Sequence, residues 1–224
     1  MKLLEEFGLK KEQISKFERY LELLLEWNEK FNLTAITDRD EIEEKHFVDS
    51  IALVKFFDLK NKTLLDVGSG AGFPGIPLAI VESTAHITLL ESNGKRVSFL
   101  KEVIKELSLS NVEIIQGRAE ELNSREKYDI VTARAVKELN ILIELCFYLV
   151  KVGGYFIAYK SSAVDEEINN AKKAFKSLQI EEFKKFDYSL PKSKNSRVFL
   201  GILKKNRTLK KYPRRYGEIV KHPL

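Results

Sequence analysis

The sequence predicts an α/β fold: a mostly parallel, doubly wound sheet with an antiparallel last strand, covered by an N-terminal helical cap. Three observations carry this. Apolar residues recur at helical spacing before about residue 60, and strands alternate with helices after it. An apolar strand also runs directly into the glycine-dense turn Gly68-Ser-Gly70-Ala-Gly72-Phe-Pro-Gly75.

In order along the chain, Ile14, Phe17, Leu21, Leu24, Leu25 and Phe31 mark one amphipathic helix, and Phe47, Ile51, Val54 and Phe57 a second. Residues 1–60 therefore read as a cap and not as a free domain. Residues 61–205 read as the main domain. Its strands are expected over Thr63–Val67, His86–Glu91, Val112–Gln116, Tyr128–Thr132, Tyr155–Tyr159, Glu181–Tyr188 and Arg197–Lys204. Its helices are expected over Gly75–Glu82, Lys95–Leu107, Leu139–Val150 and Asp165–Leu178. Pro77 suits the first turn of a helix, where its missing N–H costs nothing. The Leu190–Ser196 connection holds no helix, so the last two strands form an antiparallel pair. Residues 206–224 read as a basic tail.

At 224 residues the chain supports one full core plus an appendage. The N-terminus is interrupted by Lys2, Glu5, Glu6, Lys10 and Lys11, and the apolar run Leu139–Val150 contains Glu144, so no membrane segment is expected and the location reads as cytoplasmic. Cys146 lies in an apolar helical run and reads as a buried structural thiol. His46, His86 and His222 show no metal-ligand spacing.

The net charge of +5 hides an asymmetry. From Lys192 onward eleven Lys or Arg residues face Glu218 alone, a balance of +10, whereas the preceding 191 residues carry −5. Such a segment suits a polyanionic partner, because Lys and Arg neutralise phosphates and release counterions. Arg197, Lys210, Lys211, Arg214 and Arg215 are the candidate contacts, with Tyr212 and Tyr216 as stacking surfaces. The plainer reading is a solvated tail that aids solubility.

Gly68, Gly70 and Gly72 can take positive φ and let a ligand approach the backbone. Gly70-Ala-Gly72-Phe-Pro-Gly75 also satisfies the G-x-G-x-x-G pattern of dinucleotide sites. Here, however, the strand reaches Gly68 first, with Asp66 just before it. That acidic group would repel a pyrophosphate and suits a cationic amino-acid end, which favours S-adenosyl-L-methionine over NAD. Further candidates fall at strand ends, where ligands of such sheets bind. Glu91 can accept from ribose hydroxyls, and the Ala119-Glu120 backbone can reach an adenine. In Ala133-Arg134-Ala135, Arg134 can hold the methionine carboxylate or a substrate phosphate, or form a structural ion pair.

These residues resemble those of the bacterial 16S ribosomal RNA guanine-N7 methyltransferases, also called glucose-inhibited division protein B. The resemblance runs through Trp27-Asn28, Phe31-Asn-Leu-Thr34, His46-Phe-Val-Asp49-Ser50, the glycine segment to Pro77, Lys95-Arg96, Arg118-Ala-Glu120, Ala133-Arg-Ala135, Gly153-Gly154 and Tyr212-Pro-Arg-Arg215. It implies a class I, Rossmann-like S-adenosylmethionine-dependent methyltransferase fold. It also implies cofactor contacts at Gly68, Phe73, Ala119, Glu120 and Arg134, and 7-methylguanosine at nucleotide 527 of 16S rRNA as the product. Family precedent favours the assembled small subunit or its precursors as substrate, and a monomer is the default state. Two departures stand out: Glu91-Ser-Asn-Gly94 has a longer acidic side chain than the family's Asp, and the end of the chain lacks the usual proline soon after Gly217.

Guanine N7 carries an in-plane lone pair and no proton, so the reaction needs no general base and no catalytic acid or base is named. Orientation can supply roughly 7 to 11 kcal/mol instead. An adenine-N6 enzyme would commonly show adjacent prolines, absent here, and a cytosine-C5 enzyme a nucleophilic Cys. His46, Asp49 and Ser50 either dock the cap or floor the site. Other classes remain: a methyltransferase acting on another RNA or a small molecule, and a non-catalytic RNA- or NAD-binding protein.

Overall fold

A computed structural model describes residues 1–134, 137–161 and 163–224. Strands β1 (Thr63–Val67), β2 (His86–Glu91), β3 (Val112–Gln116), β4 (Tyr128–Arg134), β5 (Val150–Ser161), β6 (Phe183–Ser189) and β7 (Ser196–Leu203) form one sheet, ordered β3-β2-β1-β4-β5-β7-β6. The first five are parallel, and β7 lies antiparallel between β5 and β6. The expected antiparallel last strand is thus present but internal. Its partner β6 takes the sheet edge, where exposed Lys184 and Lys185 suit an unpaired border. The order reverses between β1 and β4, which opens a crevice at their carboxyl ends.

The cap comprises α1 (Lys2–Glu6), α2 (Lys11–Phe31), α3 (Arg39–Ile42) and α4 (Asp49–Ile51), with a π-helical turn over Glu43–Val48 between the last two. The sheet helices are α5 (Gly75–Val81), α6 (Gly94–Glu106), α7 (Leu139–Cys146), α8 (Val164–Asn170) and α9 (Lys172–Ser177), followed by α10 (Tyr216–Lys221). Phe17, Tyr20, Leu24, Phe47 and Ile51 of the cap share one buried cluster with Leu64, Ile76, Leu89 and Phe99. On the opposite face Leu142, Phe147 and Phe156 share another with Tyr212, Ile219 and Leu224. The C-terminal segment is therefore packed, not a free tail.

Several boundaries differ from expectation. The helix expected over Leu139–Val150 ends at Cys146, and β5 starts at Val150 instead of Tyr155. A register irregularity lies opposite its start, where Gly153 adopts φ 85° and a Cβ on Gly154 would lie 2.5 Å from the Asp129 carbonyl oxygen. The helix expected over Asp165–Leu178 is broken at Ala171, and β4 runs on to Arg134. No helix among the described residues is long and apolar enough to cross a membrane.

Candidate active site

The glycine turn leaves β1 at the crevice. Gly68, Gly70 and Gly72 all have positive φ, at 71°, 60° and 97°. Their surroundings differ. A Cβ on Gly70 would meet only the Gly68 carbonyl oxygen at 3.8 Å, so Gly70 faces open space. Gly72 is buried, and a Cβ there would lie 2.6 Å from Tyr20 Oη and 2.7 Å from Ile76 Cγ1. The Tyr20 hydroxyl also donates to the Ala71 carbonyl, pinning the cap to the turn.

Asp66 lies fully buried beneath this turn. Its Oδ2 accepts from the Gly75 N–H at 3.0 Å, which fixes the start of α5. Burial pushes its carboxyl up to about 7, against the opposing pull of the Gly75 N–H and Arg134. Glu91, 4% exposed, closes β2. Its Oε2 accepts from the Gly70 N–H at 2.9 Å and its Oε1 from the Asn93 N–H at 2.8 Å, so it ties the β2 end to the turn. Beyond β3, Ala119–Glu121 forms a short 3-10 turn. Glu120 Oε1 is buried there without a hydrogen-bond partner among the described residues. Its nearest cation, Arg118 Nη1, stands 3.9 Å away, so a ligand amino group would supply the missing hydrogen bond. These groups fit an adenosyl ligand.

Arg134, ending β4, is the hub of the site. It donates to Asp49 Oδ2 at 3.1 Å and the Lys45 carbonyl at 3.3 Å, approaches His46 Nδ1 at 3.4 Å, and lies 5.0 Å over the Phe73 ring. Phe73 in turn stacks on His46 at 4.6 Å and is itself buried. Asp49 accepts further from Tyr188 Oη at 2.8 Å and pairs with Arg197 Nε at 3.3 Å. Tyr159 Oη donates to the Ser50 carbonyl at 3.0 Å. Docking of the cap and flooring of the site are therefore one set of contacts. Burial, reinforced by Arg134, lowers the His46 pKa to about 3, so the imidazole is neutral at ordinary pH and bonds Thr34 Oγ1 at 2.8 Å. Ala135 lies outside the described residues.

A cleft of about 450 Å³ opens between Arg134, His46, Asp49, Tyr159, Lys160, Glu167 and Arg197. Sequence reasoning named no role for Tyr159, Lys160 or Glu167. Lys160 near the carboxyl end of β5 was open to the strand-end argument used elsewhere. Glu167 was not, because its position depends on α8 folding back over the strand ends.

The C-terminal cations behave differently from one another. Arg214 Nε and Nη2 donate to Glu144 at 2.8 and 2.7 Å, and the Arg214 backbone N–H adds a third bond at 3.0 Å. Glu144 is buried, so Arg214 is an internal anchor and not a free phosphate contact as the sequence suggested. Lys210, Lys211 and Arg215 are exposed, without ion pairs among the described residues, while Arg197 belongs to the cleft. Cys146 is buried, which pushes its thiol up and removes it as a nucleophile. Among the described residues no His, Cys, Asp or Glu cluster could hold a metal.

The fold resembles solved methyltransferases. A putative S-adenosyl-L-methionine-dependent methyltransferase from Methanococcus maripaludis aligns with TM-score 0.59 at 17% identity, covering 76% of this chain and 92% of the other. A SAM-dependent methyltransferase from Aquifex aeolicus aligns at 0.56 and 16%, covering 74% and 94%. In sequence, the ribosomal RNA small subunit methyltransferase G of Lachnoclostridium phytofermentans is 47% identical over 96% of this chain and 91% of its own length. That of Bacillus pumilus is 46% identical over 99% and 95%. The family model described as rRNA small subunit methyltransferase G matches residues 13–195, and the chain belongs to that family.

Proposed function

We propose that the protein methylates N7 of a guanine in 16S rRNA of the small ribosomal subunit, guanine 527 by family resemblance, acting as a cytoplasmic monomer on assembled subunits. The observation that carries this reading is the cleft next to Phe73 of the glycine turn, around which Lys45, Arg134, Lys160 and Arg197 gather, each paired with a carboxylate. His46 is too weakly basic to take a proton, and Asp49 is engaged by Arg134, Tyr188 and Arg197. A nucleophile that already bears a lone pair needs neither.

S-adenosylmethionine supplies an electrophilic methyl group on a sulfonium. Gly68 and Gly70 let it approach the backbone, Glu91 offers a carboxylate at the β2 end, and Glu120 offers an acceptor that lacks a hydrogen bond among the described residues. Asp66 lies buried under the turn and holds the Gly75 N–H at the start of α5. Asp49 neutralises Arg134, so the guanidinium can sit near a cationic donor and hold an anionic group without net repulsion. The cap walls the cleft on one side, and catalysis rests on orientation. Lys45, Arg134, Lys160 and Arg197 outnumber Asp49 and Glu167 in the cleft lining, and this positive excess favours a polyanionic acceptor over a small neutral molecule.

The test is incubation with methyl-labelled S-adenosylmethionine and small subunits lacking the modification, followed by nucleoside identification. Label in 7-methylguanosine at the decoding-region hairpin is expected. Label in another nucleoside, or none despite cofactor binding, overturns the reading.

A further inference from the structure

We infer that Glu167, on α8, reads the Watson–Crick edge of the acceptor guanine, with Lys160 beside it as the donor to O6; the inference rests on the guanine-N7 reading above. Guanine carries N7 on one edge and N1–H with its N2 amino group on the other. The carboxyl ends of the strands, where the cleft opens beside Phe73 of the turn, offer matching positions. The glycine turn follows β1, Arg134 ends β4, and Lys160 stands near the end of β5, with Arg134 paired to Tyr159 in register. Neighbouring strands lie about 4.8 Å apart, so β1 to β5 spans roughly 10 Å, enough for a purine with N7 toward the turn and its far edge toward β5.

At that far end stands a donor–acceptor pair. Lys160 Nζ lies 2.5 Å from Glu167 Oε2, which also accepts from the Leu139 N–H at 3.0 Å. Glu167 Oε1 has no hydrogen-bond partner among the described residues, and the side chain, 28% exposed, lines the cleft. The other carboxylate there, Asp49, has both oxygens engaged, and Lys45, Lys160, Arg134 and Arg197 can only donate. Guanine places O6, an acceptor, directly beside N1–H, a donor. An ammonium beside a carboxylate oxygen complements that order. Adenine presents the reverse order at the same positions, an amino group beside a bare N1, and meets like against like. The pair therefore selects guanine as well as orienting it.

Two measurements test this on reconstituted small subunits, after 7-methylguanosine has been identified as the wild-type product. With wild-type protein, replacing the target guanine by 2-aminopurine, which keeps N7 and the N2 amino group but lacks O6 and N1–H, should lower kcat/KM roughly 10-fold or more, the worth of one charge-assisted hydrogen bond. With Glu167→Gln, the amide oxygen can still accept from Leu139 and Lys160 while its NH2 opposes N1–H. Guanine turnover should fall roughly 10- to 100-fold, the preference over adenine at that position should narrow, and S-adenosylmethionine affinity by calorimetry should hold. Equal wild-type turnover of 2-aminopurine and guanine overturns the role of Glu167, whether or not the variant folds. So does an E167Q protein with wild-type rate and base preference. Label outside 7-methylguanosine instead overturns the N7 reading itself.

Discussion

Gly70 and Gly72 share one turn, and both have positive φ, yet they carry different loads. The strain of a left-handed conformation applies to both, at about 1–2 kcal/mol for an L side chain. Only Gly72 adds a collision, with Tyr20 and Ile76. Gly72→Ala should therefore lose about 3 kcal/mol or more and loosen the cap. Gly70→Ala should lose only about 1–2 kcal/mol while placing its methyl on the ligand side, weakening S-adenosylmethionine binding. Thermal unfolding paired with calorimetry separates the two, and equal melting of both variants contradicts this division. Positive φ was legible in the sequence because glycine alone tolerates it cheaply. That Gly72 serves the cap was not, since Tyr20 lies far upstream and reaches the turn only through the tertiary fold. For Asp66 the acidity was legible, but its bond to the Gly75 N–H was not.

At the scale of elements, strand positions were legible where burial on both faces wrote a short, mostly apolar run, as in β1 and the first part of β4. They failed where a local device overrode the pattern: the Gly153-Gly154 irregularity that starts β5 early, the break at Ala171, and the π-helical turn before Asp49. The basic C-terminal segment was legible as charge and not as structure. Its packing depends on Arg214 meeting Glu144, and on Arg125 donating to the carbonyls of Thr208, Leu209 and Tyr212. Arg214→Ala leaves a buried carboxylate unpaired and should cost about 3 kcal/mol or more, lowering the melting temperature. Lys210→Ala, Lys211→Ala and Arg215→Ala should each melt within about 0.5 kcal/mol of wild type. If these three contact phosphate, each should also weaken subunit binding and flatten the dependence of log affinity on log salt by about 0.7–0.9. A full salt slope in the triple variant would remove this segment from the RNA interface.

Across the whole molecule, the residues legible in advance were those at strand ends, because the topology of a doubly wound sheet sends them to one crevice. The cap's contribution came from pairing between distant segments: Asp49 and His46 with Arg134, and Glu44 with the backbone of Lys192 and Ser193. This shared burial ties stability to pH through two groups shifted in opposite directions. His46, near 3 when folded against an ordinary 6.5, binds fewer protons in the native state than in the unfolded chain, so its contribution falls as pH drops from 6.5 toward 3. Asp66, near 7 against 3.8, binds more, so its contribution falls as pH rises from about 4 to 7. Each slope approaches 1.4 kcal/mol per pH unit, and between about pH 4 and 6.5 they oppose one another. Asp66→Asn should remove one slope and leave a protein that gains stability relative to wild type as pH rises through that window. His46→Asn should do the reverse. Urea unfolding at pH 4.5, 5.5 and 6.5 reads the difference directly, because groups common to all three proteins cancel. Parallel profiles for wild type and both variants would mean that neither side chain is held in the buried environment that joins the cap to the glycine turn.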